Sequence, residues 1–198
     1  MGTVFIDFLA VMLVGMAVGF VILADYLYRS PAADTRAPWA AGFFAAGLLG
    51  LVTSLDIVYT WPLPGSFNIA YGEPALYLSI TFLAAAITLA MKWEPLIPAL
   101  FGAFGGVIAI VVGIRIDNLA MGSAPFLTML AFVAAGIGGI LTLPAIQFRD
   151  HRWIAIVAAL LLIASAVLFL LMGYEAYWAH LADFAKWVPA TMAAAGKS

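Results

Sequence analysis

Six long apolar stretches, each nearly free of charge, constrain this chain of 198 residues more than anything else in it. They run over residues 3–28, 38–60, 74–91, 95–116, 125–148 and 153–178. A helix rises 1.5 Å per residue, so about 20 apolar residues cross a hydrocarbon core ~30 Å thick. With no water there, a spanning backbone must satisfy its own N–H and C=O groups, which a helix does within one segment. The pattern predicts an all-α fold, a polytopic six-helix transmembrane bundle. Composition points the same way. The chain is 66% hydrophobic and 9% charged, against about 45–50% and about 25% in soluble domains. A soluble domain of this length has no interior large enough for so much apolar surface.

Proline punctuates the helix starts. Pro38, Pro74, Pro95 and Pro125 sit at or near first helical positions, where a missing N–H costs nothing. Glu73 and Ser123 are placed to act as N-caps. Pro144 lies deep enough in the fifth segment to kink it. Basic residues near helix ends set orientation. Arg29, Arg36, Lys92, Arg149 and Arg152 fall on one side, against Arg115, Lys186 and Lys197 on the other. This places the first group in the cytoplasm and both termini outside. Residues 1–189 read as one domain. Within it, 179–189 form an amphipathic extension of the sixth helix, and 190–198 follow as a loose tail. Net charge is −2 with no basic run, which excludes a nucleic-acid partner. The absence of cysteine removes disulfides, thiolate metal sites and thiol catalysis. Small residues spaced by four, such as Gly15/Gly19, Gly102/Gly106 and Ala135/Gly139, allow close helix approach. The approach is either within one bundle or between copies.

One connection differs from the rest. Residues 55–77, LDIVYTWPLPGSFNIAYGEPALY, hold two carboxylates, three prolines, two glycines and several aromatic rings. Such a segment is either a lid packed into the bundle mouth, carrying Trp61, Asn68 and Tyr71, or a rigid surface connector. Charges inside apolar segments are costly and mark candidate sites. By depth, Asp7, Asp56, Glu73, Arg115, Asp117, Glu175 and His180 all fall near the end that carries this connection. Tyr59 shares a helix face with Asp56. At the opposite end Asp25 and Arg29 have the spacing of a helix-face pair. The outer groups are expected either to form a structural polar layer or to line an outward-facing site for a small solute, cation or proton, with Asp56, Glu73 and Arg115 at its centre. That is the function of a small transporter or channel.

Other chemistries have less to work with. His180 and Glu175 with a further carboxylate offer a divalent metal few ligands. Bis-histidine haem is excluded within one chain, since His151 and His180 fall at opposite ends. No cofactor is expected, with haem or a divalent metal left open, and no catalytic residue is identified. There is no phosphate-binding glycine loop and no lysine at mid-depth for a retinal Schiff base. Two alternatives stand beside the transporter reading. One is a non-catalytic subunit of a larger membrane assembly, for example a respiratory one. The other is a small membrane metal or haem redox protein. Six short helices leave little room for alternating access in one copy, so the transporter reading leans on a homo-oligomer.

The segment TWPLPGSFNIAYGEP (60–74) resembles the uncharacterised prokaryotic membrane family catalogued as domain of unknown function 981. So do APWAAGFFAAGLLGLVTSLDIVYTWPLPG (37–65), IVVGIRIDN (110–118) and GYEAYWAHL (173–181). The resemblance covers nearly the whole chain. It implies a small multi-pass protein of the cytoplasmic membrane and carries no reaction, substrate or residue role with it.

Overall fold

The computed structural model describes residues 8–183 and 185. Asp7, Lys186, Lys197 and the tail from 186 onward lie outside them. Six helices account for nearly all of the described chain: α1 (Leu9–Arg29), α2 (Ala37–Thr60), α3 (Glu73–Ala90), α4 (Leu96–Asn118), α5 (Pro125–Gln147) and α6 (Arg152–Asp183). All six are long and apolar enough to cross a membrane, and no strand occurs among the described residues. The expected extension of the sixth helix is continuous with α6 as far as Asp183. At 32 residues, α6 is ~48 Å long, well beyond one hydrocarbon thickness. Its surplus carries the exposed rings of Tyr174, Tyr177 and Trp178.

The helices form a ring in chain order, and α6 closes it against α1. The tightest seam is α4 against α5, and glycine explains it. A Cβ at Gly106 would stand 2.4 Å from the Gly136 carbonyl oxygen, and one at Gly136 2.5 Å from that of Gly106. The two backbones touch directly, as small residues permit. Gly15 packs on Leu49 and Gly138 on Leu162, so these glycines serve packing inside this one chain. Ser165 adds a bond from its hydroxyl to the Ala131 carbonyl across α5 and α6, 2.9 Å long. The seam between α3 and α4 is the loosest between chain neighbours.

The long connection is shorter than the sequence suggests. Residues 68–72 form a single π-helical turn that runs straight into α3. Glu73 therefore caps nothing, because carbonyls of the preceding turn already receive the first N–H groups of α3. Ser123 makes no cap either; Ala124 holds that position in α5. Helix α5 continues through Pro144 and ends one turn later, so the N–H this proline lacks costs the helix one bond close to its end.

Asn68 holds the remaining loop. It is buried, accepts the Leu63 N–H at 2.8 Å, and donates to the carbonyls of Leu63 (2.5 Å) and Gly65 (2.9 Å). Pro62 and Pro64 have no N–H of their own, so one side chain does the work of a missing turn. Gly65 takes a positive φ of 50° beneath it, where a side chain is disfavoured. Asn68→Ala would leave the Leu63 N–H without a partner. The expected loss is about 1–3 kcal/mol of stability, read as a lower unfolding midpoint of the detergent-purified protein. An unchanged midpoint would refute this role.

Candidate functional site

A central cavity of about 110 Å³ runs inside the ring and is lined from all six helices. One wall is aromatic. Tyr71 meets Phe132 edge-on at 5.7 Å, Phe132 meets Phe169 at 5.3 Å, and Phe169 meets Phe20 at 6.0 Å. Phe20 continues to Phe82 at 6.4 Å, Phe82 stacks on Phe43 at 5.4 Å, and Phe43 meets Tyr26 at 6.3 Å. Each pair sits at a separation where aromatic rings attract. Small residues, Gly102, Gly105, Gly106, Ala109, Ala135 and Gly139, make the lining smooth along α4 and α5.

Along α3 the lining extends from Pro74 to Leu89, a depth of ~22 Å at 1.5 Å per residue. Among the described residues no charged side chain lines it. The few lining hydroxyls include Thr81 and Thr142, whose protons are spent on the carbonyls of Tyr77 and Gly138 in their own helices. Water needs two to four polar partners to settle in a cavity, and apolar cavities of this order stay dry and take apolar guests.

The cavity is unsealed on one side. Tyr77, Ala85, Gly102, Gly105 and Ala109 line it yet are only half-buried, and they sit along the loose α3–α4 seam. Tyr77 spans this seam and stacks on Phe101 at 6.2 Å. A Cβ at Gly105 would stand 2.9 Å from the Tyr77 ring. At Gly102, by contrast, the nearest neighbour of a Cβ would be Thr81 Cγ2 at 3.9 Å, which leaves a slot.

Of the residues expected to form a site, only Tyr71 lines this cavity. It is half-buried and stacks on Phe67 at 6.2 Å. Asn68 is the buried loop clasp, while Trp61 is half exposed at the end of α2 with a positive φ of 54°. The segment is thus packed inward at Asn68 and Tyr71 and outward at Trp61. Tyr59 is 80% exposed. Glu73, Arg115 and Glu175 are exposed, and Asp117 and His180 are half-buried.

Among the described residues no ion pair joins Asp56, Glu73, Arg115, Asp117 and Glu175. No group of three or more metal-ligating side chains occurs there either. Asp56 stands out within this set. Its Oδ2 atom is buried and has no hydrogen-bond partner among the described residues.

The organised polar structure is at the other end. Arg36 is 1% exposed. Its guanidinium donates to the Pro31 carbonyl at 3.2 Å, the Trp93 carbonyl at 3.1 Å and Glu94 Oε1 at 2.8 Å. Arg149 donates to Glu94 Oε2, and Arg152 donates to the Tyr28 carbonyl and lies over the Tyr28 ring. Glu94 therefore ties together the α1–α2, α3–α4 and α5–α6 connections. The expected Asp25–Arg29 pair is present at 2.7 Å, and Trp39 donates to the other Asp25 oxygen at 3.0 Å. Lys92 and Asp34 pair at 2.7 Å. Their contact lowers the Asp34 carboxyl below its ordinary range and raises the Lys92 ammonium above its own.

Sequence reasoning used these arginines only as markers of orientation and passed over Glu94. A lone carboxylate set between Lys92–Trp93 and Pro95 in a basic turn was the available signal.

Comparison with known proteins adds one match. A family described as protein of unknown function (DUF981) covers residues 1–183. No curated protein and no solved structure matches the chain.

Proposed function

The chain belongs to that family of proteins of unknown function, and we propose that it is a multi-pass protein of the cytoplasmic membrane that takes an apolar, chain-like ligand from the bilayer into its central cavity. The observation that carries this reading is the cavity itself. It is ~22 Å deep, free of charged lining, and unsealed along α3–α4. A helix ring in a bilayer gives such a seam direct contact with lipid tails, so a chain reaches the cavity without crossing water. A lining of aromatic rings and small residues suits a narrow, flexible hydrocarbon, which gains dispersion contacts along its length.

Gly102→Leu tests the reading. A Cβ at Gly102 meets nothing closer than 3.9 Å and the rest of the leucine side chain would extend along the slot, so the bundle is expected to fold, with the unfolding midpoint measured beside binding. Purified wild type in nanodiscs should bind tritiated hexadecanol saturably, and Gly102→Leu should bind it at least ~10-fold more weakly, about 1.4 kcal/mol. Non-saturable binding to wild type, or equal binding to both proteins, overturns the reading.

A second reading has one observation in its favour, the buried and unpartnered Asp56 Oδ2. A carboxylate oxygen held without a donor is an open acceptor inside an apolar helix, a costly placement that marks a candidate site. On this reading the Asp56 end serves a cation or proton site, with Glu73, Arg115, Asp117, Glu175 and His180 on the same end. Asp56→Leu should then keep or raise stability, because an isosteric apolar group removes a desolvation cost, while abolishing proton or cation flux in liposomes. Flux equal to wild type removes this reading.

A further inference from the structure

The basic end of the bundle gives the cavity's ligand a head. We propose that the ligand is a single-chain amphiphile with an anionic head, a carboxylate or a phosphate monoester, held at Arg149 with its chain in the cavity. This rests on the reading of the cavity as a ligand site and names the ligand's chemical class.

Three observations bring the charge and the cavity together. Pro95, which follows Glu94 directly, lines the cavity. Ile146 lines it too and lies one turn before Arg149. Tyr26 lines it from α1, two residues before Tyr28, whose carbonyl accepts from Arg152. The cavity's end at Leu89 and Pro95 therefore abuts the Arg36–Glu94–Arg149 group.

That group has two cations for one anion. The two arginines differ in what they have left to offer. Arg36 is buried and uses all three guanidinium nitrogens on Pro31, Trp93 and Glu94. Arg149 is 39% exposed in its side chain and uses only Nη2 on Glu94, leaving Nε and Nη1 without a partner among the described residues. These two groups lie on different edges of the guanidinium, so each offers a single charge-assisted hydrogen bond to a carboxylate or phosphate oxygen. The Glu94 carboxylate next to it is already neutralised by Arg36, so the surplus charge belongs to Arg149. At the opposite end Tyr71 and Pro74 line the cavity; Arg115 belongs to that end but is exposed and lies six residues beyond Ala109, the last residue of α4 to line it. An anionic head therefore goes to the Arg149 end.

The test compares three probes of one chain length, palmitate, hexadecyl phosphate and hexadecanol, on the full chain in nanodiscs of zwitterionic lipid. Wild type should bind at least one anionic probe ~10-fold or more tightly than hexadecanol. Whichever anion binds better identifies the head as carboxylate or phosphate. R149Q should lose the preference and bind all three alike, and R149K, which keeps the charge, should retain part of it. Hexadecanol binding reports the cavity separately in every variant. Saturable hexadecanol binding with no anionic preference in wild type, or a preference that survives in R149Q, overturns the headgroup assignment alone. Absence of saturable binding by any probe overturns the cavity reading as well.

Discussion

Gly106→Ala is expected to destabilise the protein more than any other single methyl added to it. The new Cβ would stand 2.4 Å from the Gly136 carbonyl oxygen, 3.0 Å from Ile140 Cγ1 and 3.2 Å from the Ile140 backbone nitrogen. Two of these neighbours are backbone atoms inside a helix, so no rotamer change relieves the clash. Helices α4 and α5 must separate, and their seam is the most extensive in the ring. Overpacking of a tight core costs about 1–3 kcal/mol, and sometimes more. Backbone-against-backbone contact puts this site at or above the top of that range. Gly102→Ala is the control on the same helix, since its Cβ meets nothing closer than 3.9 Å. It should be neutral, or slightly stabilising through helix propensity. Unfolding midpoints of both variants in one detergent decide the matter. Equal midpoints would mean that the glycine contact does not hold the seam.

Glu94→Ala is expected to be the most damaging change of a charged residue. It strips from Arg36, which is 1% exposed, the one carboxylate that it reaches among the described residues. Removing one partner of a buried pair typically costs about 3–5 kcal/mol, because a charge is left without compensation. Glu94 itself is half exposed, so water reaches the gap and the lower end of that range applies. Arg149 loses its anchor in the same stroke. Replacing Arg36 and Glu94 together by Met and Gln should recover part of the loss, since no unpaired charge remains. A double variant as unstable as the sum of the singles would show that the two residues act independently.

Both effects reside where the sequence was legible only in part. The helices themselves were plain. Long apolar runs and prolines at first-turn positions give helix number and approximate ends, because these follow from local backbone chemistry and segment length. The spacing of Gly102 and Gly106 announced close packing, and Asp25 with Arg29 announced a pair. Which glycine meets which backbone was not legible, since ring order and helix rotation are set by tertiary contacts. Nor was the π-helical turn of residues 68–72. It depends on the Asn68 side chain closing on Leu63 and Gly65 after the loop has folded.

Depth along a helix was a good guide to which charges share an end, and a poor guide to which ones touch. Glu73 and Arg115 come to the same end of the bundle but point outward. A helix period places such residues on faces only relative to their own helix. The cavity left almost no trace in the sequence. Its lining of Phe, Gly, Ala and Leu reads the same as a solid core, and only the loose α3–α4 seam distinguishes it. Glu94 was hidden for a different reason. It lies in a short connection that a count of basic residues treats as background, whereas in three dimensions it joins three connections that are far apart in the chain.

The central claim is that the cavity holds an apolar chain. The most direct measurement is native mass spectrometry of the full protein purified from the cells that produce it, with the released small molecules separated and identified. The account predicts one bound single-chain lipid per protein in wild type and its loss in Gly102→Leu, with the unfolding midpoint measured beside it. A wild-type protein free of bound lipid, or the same bound lipid at the same stoichiometry in Gly102→Leu, would contradict it.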